Sequence, residues 1–308
     1  MSRPPTSAWR KSALPGAGSG VIWVNAVVQG ILLGGLYALF ACGLSLMFGV
    51  MRVVNLAHGD FAVLAAYLAL AVITGLHIPV LWSALVVAPL FAVVGYLVQR
   101  FIIQRSLDVS PLTTLLVTFG LSIVIQNALL TTLSANSQSL PSGSLASASV
   151  QVNGQLSIGY VSAIVFATSV VVVVALQLFL SRTGLGRQVR AASDDQEAAS
   201  IVGVNVRHVY GIAAAIAFAT VALAGIAFGM YSSFDPAAGP QRLIFAFEAV
   251  VIGGMGSLWG TLVGGIILGV AQVLGAQVDA GFGVLAGHLV FLAVLALRPS
   301  GLIPARIT

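Results

Sequence analysis

Residues 21–50 read VIWVNAVVQGILLGGLYALFACGLSLMFGV and contain no Asp, Glu, Lys or Arg. A helix on the surface of a soluble protein needs a polar face toward water, and this stretch offers none along its length. About 20 apolar residues in a helix cross the roughly 30 Å hydrocarbon core of a bilayer. The stretch therefore predicts a membrane-spanning helix. The basic residues ahead of it, Arg3, Arg10 and Lys11, favour an uncleaved signal anchor.

The same apolar character extends over the rest of the chain. Of 308 residues, 59% are hydrophobic and 7% are charged, whereas soluble domains carry about 25% charged residues. The apolar stretches lack the two-residue alternation of membrane strands, so the sequence predicts an all-α, polytopic membrane helix bundle. Its eight apolar blocks are residues 21–50, 61–73, 80–98, 112–133, 158–180, 210–230, 243–274 and 284–297.

Glycines spaced four residues apart recur in these blocks. Small residues at this spacing let membrane helices approach closely, so we interpret the pairs as packing positions. They are Gly30 and Gly34, Gly225 and Gly229, Gly260 and Gly264, and Gly265 and Gly269.

The basic residues predict the orientation of the bundle. Lys and Arg concentrate in cytoplasmic loops, and residues 181–208 are rich in arginine. If each of the eight blocks crossed the membrane once, this segment and the basic N-terminus would lie on opposite sides of the membrane. We therefore interpret two blocks as broken by glycine and polar residues, the first between Gly43 and Asp60 and the second at residues 253–257. The chain then has about ten membrane segments, and both termini lie in the cytoplasm. Every Lys and Arg except Arg242 also lies on the cytoplasmic side.

No shift in composition divides the chain, so one membrane domain is predicted over residues 21–303. Residues 1–20 and 304–308 are then cytoplasmic tails. The charge-free residues 134–157, with their Ser, Asn, Gln and Gly content, are predicted to form the main external loop. Each half of the chain contains one broken block, and paired interruptions of this kind point to a solute path in several transporter folds.

Sequence signals for catalysis are missing. The one lysine, Lys11, is not part of a phosphate-binding glycine loop, so the chain is not predicted to bind ATP. The four histidines lack metal-ligand spacing, and the one cysteine, Cys42, lies inside an apolar block. The sequence therefore predicts no enzyme, no metal site and no cofactor in this chain. Because the clustered arginines are a topology signal, no nucleic-acid partner is predicted either.

Two segments place polar residues and glycines inside apolar surroundings. Ionisable groups at membrane depth cost roughly 2.5–3.5 kcal/mol each, so they usually pair or face water. Both segments are therefore candidates for a translocation path. The alternatives are a cytoplasmic turn for the first, and, for the second, an ion pair with Arg242 and a tight helix crossing. The candidate residues are Asn55, His58 and Asp60 in the first segment, and Glu248, Gly253, Gly254 and Gly256 in the second.

A short amphipathic helix is predicted within residues 181–208. We expect Ser193 to cap its N-terminus, with acidic residues in the first turn where the helix dipole favours them. Its composition indicates a docking surface, although a self-packed surface loop would share the same pattern. The candidate residues are Arg190 before the helix, Ser193, Asp194, Asp195 and Glu197 at its start, Ala198, Ala199, Ile201 and Val202 on its apolar side, and Gly203 at its end.

Several stretches, taken in order, resemble the permease subunits of branched-chain amino-acid ABC importers of the LivH type. The likeness covers about residues 21–303. Each motif alone is moderately specific, whereas the ordered set is highly specific. The stretches are GGLYAL at 34–39, NLAHGD at 55–60, RAASDDQEAASIVGVN at 190–205, IGGMGS at 252–257 and LRPSGL at 297–302.

The resemblance implies a multi-pass subunit of the bacterial inner membrane. A second homologous permease subunit, two cytoplasmic ATPase subunits that bind and hydrolyse ATP, and a periplasmic solute-binding protein would complete the importer. It also implies that residues 181–208 hold the helix that couples the permease to the ATPase. The solute would be a branched-chain or related amino acid. Importers for urea, short amides or sugars, and a stand-alone channel or secondary transporter, are the alternatives.

Overall fold

The computed structural model of the chain describes residues 19–143, 145, 148–152 and 156–303. Within them the chain forms eleven helices and one short hairpin, in which β1 (Ser149–Val152) pairs antiparallel with β2 (Leu156–Gly159). The helices are α1 (Ser19–Met51), α2 (His58–Leu76), α3 (Val80–Leu107), α4 (Pro111–Leu133), α5 (Tyr160–Arg182), α6 (Gly184–Asp194), α7 (Gln196–Ile201), α8 (Val206–Tyr231), α9 (Gly239–Gly253), α10 (Leu258–Val278) and α11 (Phe282–Leu297).

The predicted all-α polytopic bundle is confirmed. Seven helices are long and apolar enough to cross a membrane by length and composition, namely α1–α5, α8 and α10. Two further bundle helices are shorter, α9 with 15 residues and α11 with 16. The predicted tails fall mainly outside the described residues, because residues 1–18 and 304–308 are not among them.

Glycines allow a close contact between α1 and α10. A Cβ added at Gly34 would overlap Cα of Ile266, and one at Gly269 would overlap the carbonyl oxygen of Gly30. The two backbones therefore touch with no side chain between them, which is how small residues hold membrane helices together. The packing interpretation of the Gly30–Gly34 and Gly265–Gly269 pairs is confirmed.

The first break lies at residues 52–57, inside the predicted interval from Gly43 to Asp60. The first apolar block is not interrupted at Gly43 or Gly49, because α1 continues for 33 residues to Met51. A left-handed Arg52, with φ 55°, then ends the helix, and residues 52–57 lead back along the bundle. The second break is confirmed, since residues 254–257 separate α9 from α10.

Two helices begin inside the bundle. The side chain of His58, the first residue of α2, bonds to the carbonyl of Phe40, which lies about 16 Å before the end of α1. Gly239, the first residue of α9, lies against Gly59. From this meeting point α2 and α9 run in opposite directions, so the unit α1–break–α2 and the unit α8–break–α9 have inverted orientations.

The bundle has a hairpin end, formed by residues 134–143 with β1 and β2, and a loop end, formed by α6 and α7. Helix α5 runs from β2 to α6, so the hairpin end and the loop end lie on opposite sides of the bundle. The side chain of Gln29 near the start of α1 bonds to Ser157 in β2. The amide of Leu302 instead donates to Ile252 at the other end of the bundle.

The two described chain ends therefore lie at opposite ends of the bundle. The prediction that both termini are cytoplasmic concerns tails outside the described residues, and it stays a prediction. It assigned two membrane passes to the first block, whereas α1 is one continuous helix.

Candidate functional site

The first broken segment is held by a compact set of hydrogen bonds. The Asn55 side chain accepts from the amide of Ala57 at 3.0 Å, and the Asn55 carbonyl accepts from the amide of His58 at 3.1 Å. Nε2 of His58 donates to the Phe40 carbonyl at 2.8 Å. Both Asn55 and His58 have an exposed fraction of 0%. These bonds hold the break in shape, while Nδ2 of Asn55 and Nδ1 of His58 are buried without a partner among the described residues.

Asp60 lies where the two broken helices meet. A Cβ at Gly239 would overlap the Asp60 carboxylate, so that carboxylate sits at the N-terminus of α9 as well as in the first turn of α2. Both helix dipoles favour a negative charge at this point. Nε2 of Gln126 in α4 donates to Oδ1 of Asp60 at 3.0 Å. Asp60 therefore joins three helices from a position that is 1% exposed.

Glu248 pairs with a residue that the sequence did not single out. Nδ1 of His288 in α11 donates to Oε1 of Glu248, which is 3% exposed. The suggested pair with Arg242 is wrong, because among the described residues Arg242 forms no ion pair. Its guanidinium instead lies over the ring of Phe228, at 4.2 Å from the ring centroid.

The candidate glycines 253–256 form a packed turn at the loop end. Gly254 has φ 112° and Gly256 has φ 82°, backbone conformations that residues with a Cβ rarely adopt. A Cβ at Gly253 would overlap the carbonyl of Gly260, and Gly301 of the LRPSGL stretch packs on Gly254. These backbone contacts of Gly253 and Gly254 are consistent with the packing alternative, and a role of the glycines in a solute path stays a prediction.

The predicted path residues thus occupy three places. Asn55, His58 and Asp60 lie together at the first break, Glu248 lies within α9 and pairs with α11, and the glycines lie at the end of α9. Sequence reasoning missed the partners that complete these places. The signal was present, since both partners are isolated polar residues in apolar helices: Gln126 bonds to Asp60, and His288 bonds to Glu248.

A short helix is present in the predicted amphipathic segment, but it starts later than predicted. Ser193 lies near the end of α6, where its hydroxyl donates to the Arg190 carbonyl at 2.9 Å. Asp195 is the N-cap of α7, and its Oδ1 accepts from the amides of Glu197 and Ala198, both at 2.9 Å. Asp194 consequently ends α6 and does not begin α7. Asp195 takes the cap because a carboxylate stabilises two free amides at once.

The end of this helix agrees with the prediction. Gly203 is left-handed, with φ 89°, and the amide of Val204 donates back to Ala199 at 3.0 Å. This is a Schellman end, which favours glycine.

Helix α7 presents apolar side chains to the outside of the bundle. Ala199 is buried at 3% exposure, whereas Ile201 and Val202 are exposed by 79% and 78%. The guanidinium of Arg190 donates to the Leu180 carbonyl at the end of α5, which ties the loop to a bundle helix. The arrangement thus joins an exposed apolar tip to the membrane helices through a fixed contact.

The fold defines a polytopic helical membrane protein with two helices that begin inside the bundle. Residues 26–297 match the model of the branched-chain amino acid transport system permease component family. The chain belongs to this family.

Curated relatives cover nearly the whole chain. It is 31% identical to the high-affinity branched-chain amino acid transport system permease protein BraD of Pseudomonas aeruginosa, over 91% of this chain and 95% of that protein. It is 28% identical to the corresponding protein LivH of Salmonella typhimurium, with the same coverage. The fructose import permease protein FrcC of Rhizobium meliloti is 41% identical, but over only 34% of this chain and 32% of its own length.

Proposed function

We propose that this chain is the membrane-spanning permease subunit of an ATP-binding-cassette importer that translocates branched-chain or related amino acids. The observation that carries the proposal is the family match over residues 26–297. The relatives that match over 91% of the chain are named for branched-chain amino acid transport. The chain itself would hydrolyse nothing and carry no cofactor, with ATP bound and hydrolysed by separate subunits.

The proposed assembly lies in the bacterial inner membrane. It contains a second homologous permease subunit, two cytoplasmic ATPase subunits and a periplasmic solute-binding protein. The loop end would face the cytoplasm, because Arg182, Arg187 and Arg190 lie there and basic residues concentrate on that side. The hairpin end would then face the binding protein.

The exposed tip of α7 supports coupling to the ATPase subunits. Ile201 and Val202 are exposed at the loop end, so the described part of the chain does not bury them. A groove on an ATPase subunit would bury them. The Arg190 contact with α5 would then carry motion of the docked helix to the bundle.

The alternative functions have weaker support. Sugar import rests on a similarity that covers 34% of the chain. A secondary transporter needs ionisable groups along a membrane path. Among the described residues, Asp60 and Glu248 are the only buried carboxylates, and they lie at separate places.

The test is solute uptake by the complete importer. The chain and the proteins encoded beside it would be reconstituted in vesicles containing ATP, with labelled leucine and binding protein outside. We expect leucine accumulation that stops when ATP is replaced by a non-hydrolysable analogue. A matched preparation without the ATPase subunits should accumulate nothing. Uptake at the full rate in that preparation would exclude an ATP-driven importer and favour a channel or secondary transporter.

A further inference from the structure

Polar side chains from four helices gather around the ring of Phe245 in α9. The Tyr37 ring lies 5.2 Å and the His288 ring 6.4 Å from the Phe245 ring, and Cζ of Arg242 lies 5.9 Å from its centroid. The Tyr37 hydroxyl donates to Oε1 of Gln272 at 2.5 Å. We call this group the Phe245 cluster: Tyr37, Arg242, Phe245, Glu248, Gln272 and His288.

The cluster holds hydrogen-bonding capacity that the described protein does not use. Nε of Arg242, Oε2 of Glu248 and Nε2 of Gln272 are buried and have no partner among the described residues. Glu248 is 3% exposed and Gln272 is 7% exposed. Buried polar groups are normally paired, and an unpaired one is costly. The cluster therefore contains two unpaired donors, on Arg242 and Gln272, and one unpaired acceptor, on the Glu248 carboxylate.

The two opposite charges do not satisfy each other. Arg242 and Glu248 form no ion pair, although they lie on the same helix. Six residues separate them, which is about 9 Å along the helix axis. They project on either side of Phe245, which is three residues from each. A small molecule that carries both charges could bridge the gap with a charge-assisted hydrogen bond at each end.

We propose that the Phe245 cluster is a transit site for a zwitterionic α-amino acid. Arg242 binds the carboxylate, with the free amide N–H of Gln272 as a second donor. The unpaired oxygen of Glu248 binds the ammonium of the solute. His288 bonds to the other oxygen of Glu248 and so positions this side chain. The apolar side chain of the solute packs on Phe245 and Phe228. This inference rests on the proposed function, because it names how that importer distinguishes its solute.

The carboxylate and the ammonium of the solute can be tested with separate probe molecules. Isocaproate carries the carboxylate and the branched side chain of leucine, and isoamylamine carries a similar side chain with only the ammonium. Binding of each probe and of leucine to the purified full chain in lipid nanodiscs would be measured by saturation-transfer NMR. The variants are Arg242→Gln and Glu248→Gln. The matched control is Arg100→Gln, because Arg100 is exposed near the loop end, away from the cluster.

We expect opposite losses in the two variants. Arg242→Gln should lose the isocaproate signal and keep that of isoamylamine, whereas Glu248→Gln should do the reverse. Each should weaken leucine binding at least tenfold, and the control should match the wild type. Arg242→Lys and Glu248→Asp keep the charges and should retain weaker binding of the corresponding probe, which covers the case in which an amide variant does not fold.

Two results would overturn the inference. One is a wild-type chain that binds neither probe, and the other is a set of variants that lose both probes together, as a purely structural role predicts. The proposed function is tested separately by leucine uptake in vesicles. If the importer accumulates leucine while the purified chain shows no charge-selective loss, the transit site is wrong and the importer assignment stands.

Discussion

Single residues decide how closely the broken helices meet. Gly59 and Gly239 bring the starts of α2 and α9 into backbone contact, and the Asp60 carboxylate occupies the remaining space. The sequence marked Asp60 as unusual at membrane depth. It did not indicate that one carboxylate serves the N-termini of two helices, because Gly239 lies far along the chain from Asp60.

Replacing Gly239 with alanine should destabilise this meeting point. The added methyl group would overlap the Asp60 carboxylate, and overpacking of this kind typically costs about 1–3 kcal/mol. Thermal unfolding in detergent should show a lower melting temperature. Gly120→Ala is the matched control, because nothing lies within 4 Å of a Cβ at that helical position. Equal melting temperatures for the two variants would contradict the packing described here.

At the scale of elements, the two short helices α6 and α7 replace the one helix predicted from residues 193–202. The pattern correctly predicted an amphipathic segment, an acidic first turn containing Glu197 and an end at Gly203. It misplaced the cap, because Ser193, Asp194 and Asp195 all belong to residue types that cap helices. Which of these residues caps α7 depends on where α6 ends. Helix α6 starts after its own N-cap, Thr183, and extends to Asp194, so Asp195 is left to cap α7.

Asp195→Ala should therefore loosen α7, while Ser193→Ala should not. Loss of an N-cap costs about 0.5–2 kcal/mol because two amides lose their acceptor. Hydrogen exchange should become faster at the amides of Glu197 and Ala198 in Asp195→Ala only. Faster exchange in Ser193→Ala, with Asp195→Ala unchanged, would restore the original assignment of the cap.

Ile201→Ala should weaken coupling without affecting the fold. The side chain is 79% exposed in the chain alone, so the variant should melt like the wild type. Docking would lose roughly 25 cal/mol for each Å² of apolar area no longer buried. Leucine-stimulated ATP hydrolysis by the reconstituted importer is the measurement. Val93→Ala, which truncates an exposed aliphatic residue on the membrane-facing α3, should hydrolyse ATP normally. Similar behaviour of both variants would argue against docking through α7.

At the scale of the whole molecule, the inverted units α1–α2 and α8–α9 account for the pair of interruptions noted in the sequence. Each unit has a long helix, a non-helical return and a helix that starts inside the bundle. Because α1 is one continuous helix, the first block contributes one membrane pass and not two. The start of α1 therefore lies at the hairpin end, and residue 303 lies at the loop end.

Cysteine labelling should separate these ends. In a Cys42→Ala background, an impermeant thiol reagent added to intact cells should label Gly20→Cys and Ser139→Cys, because both positions lie at the hairpin end. Ser193→Cys at the loop end should be labelled only after the cells are opened. Labelling of Ser193→Cys from outside would reverse the proposed orientation. Protection of Gly20→Cys alone would support the original prediction that both termini are cytoplasmic.

The sequence by itself determined the membrane environment, the helical class, the break at residues 254–257 and the glycine packing positions. These follow from local composition, since the bilayer requires long apolar helices and close helix contacts require small residues. The tertiary structure decided which polar groups meet. Tyr37 and Gln272 are 235 residues apart and share a hydrogen bond, and Glu248 pairs with His288 and not with Arg242. The pairing of isolated polar side chains depends on which helix faces touch, and local composition carries no information about those contacts.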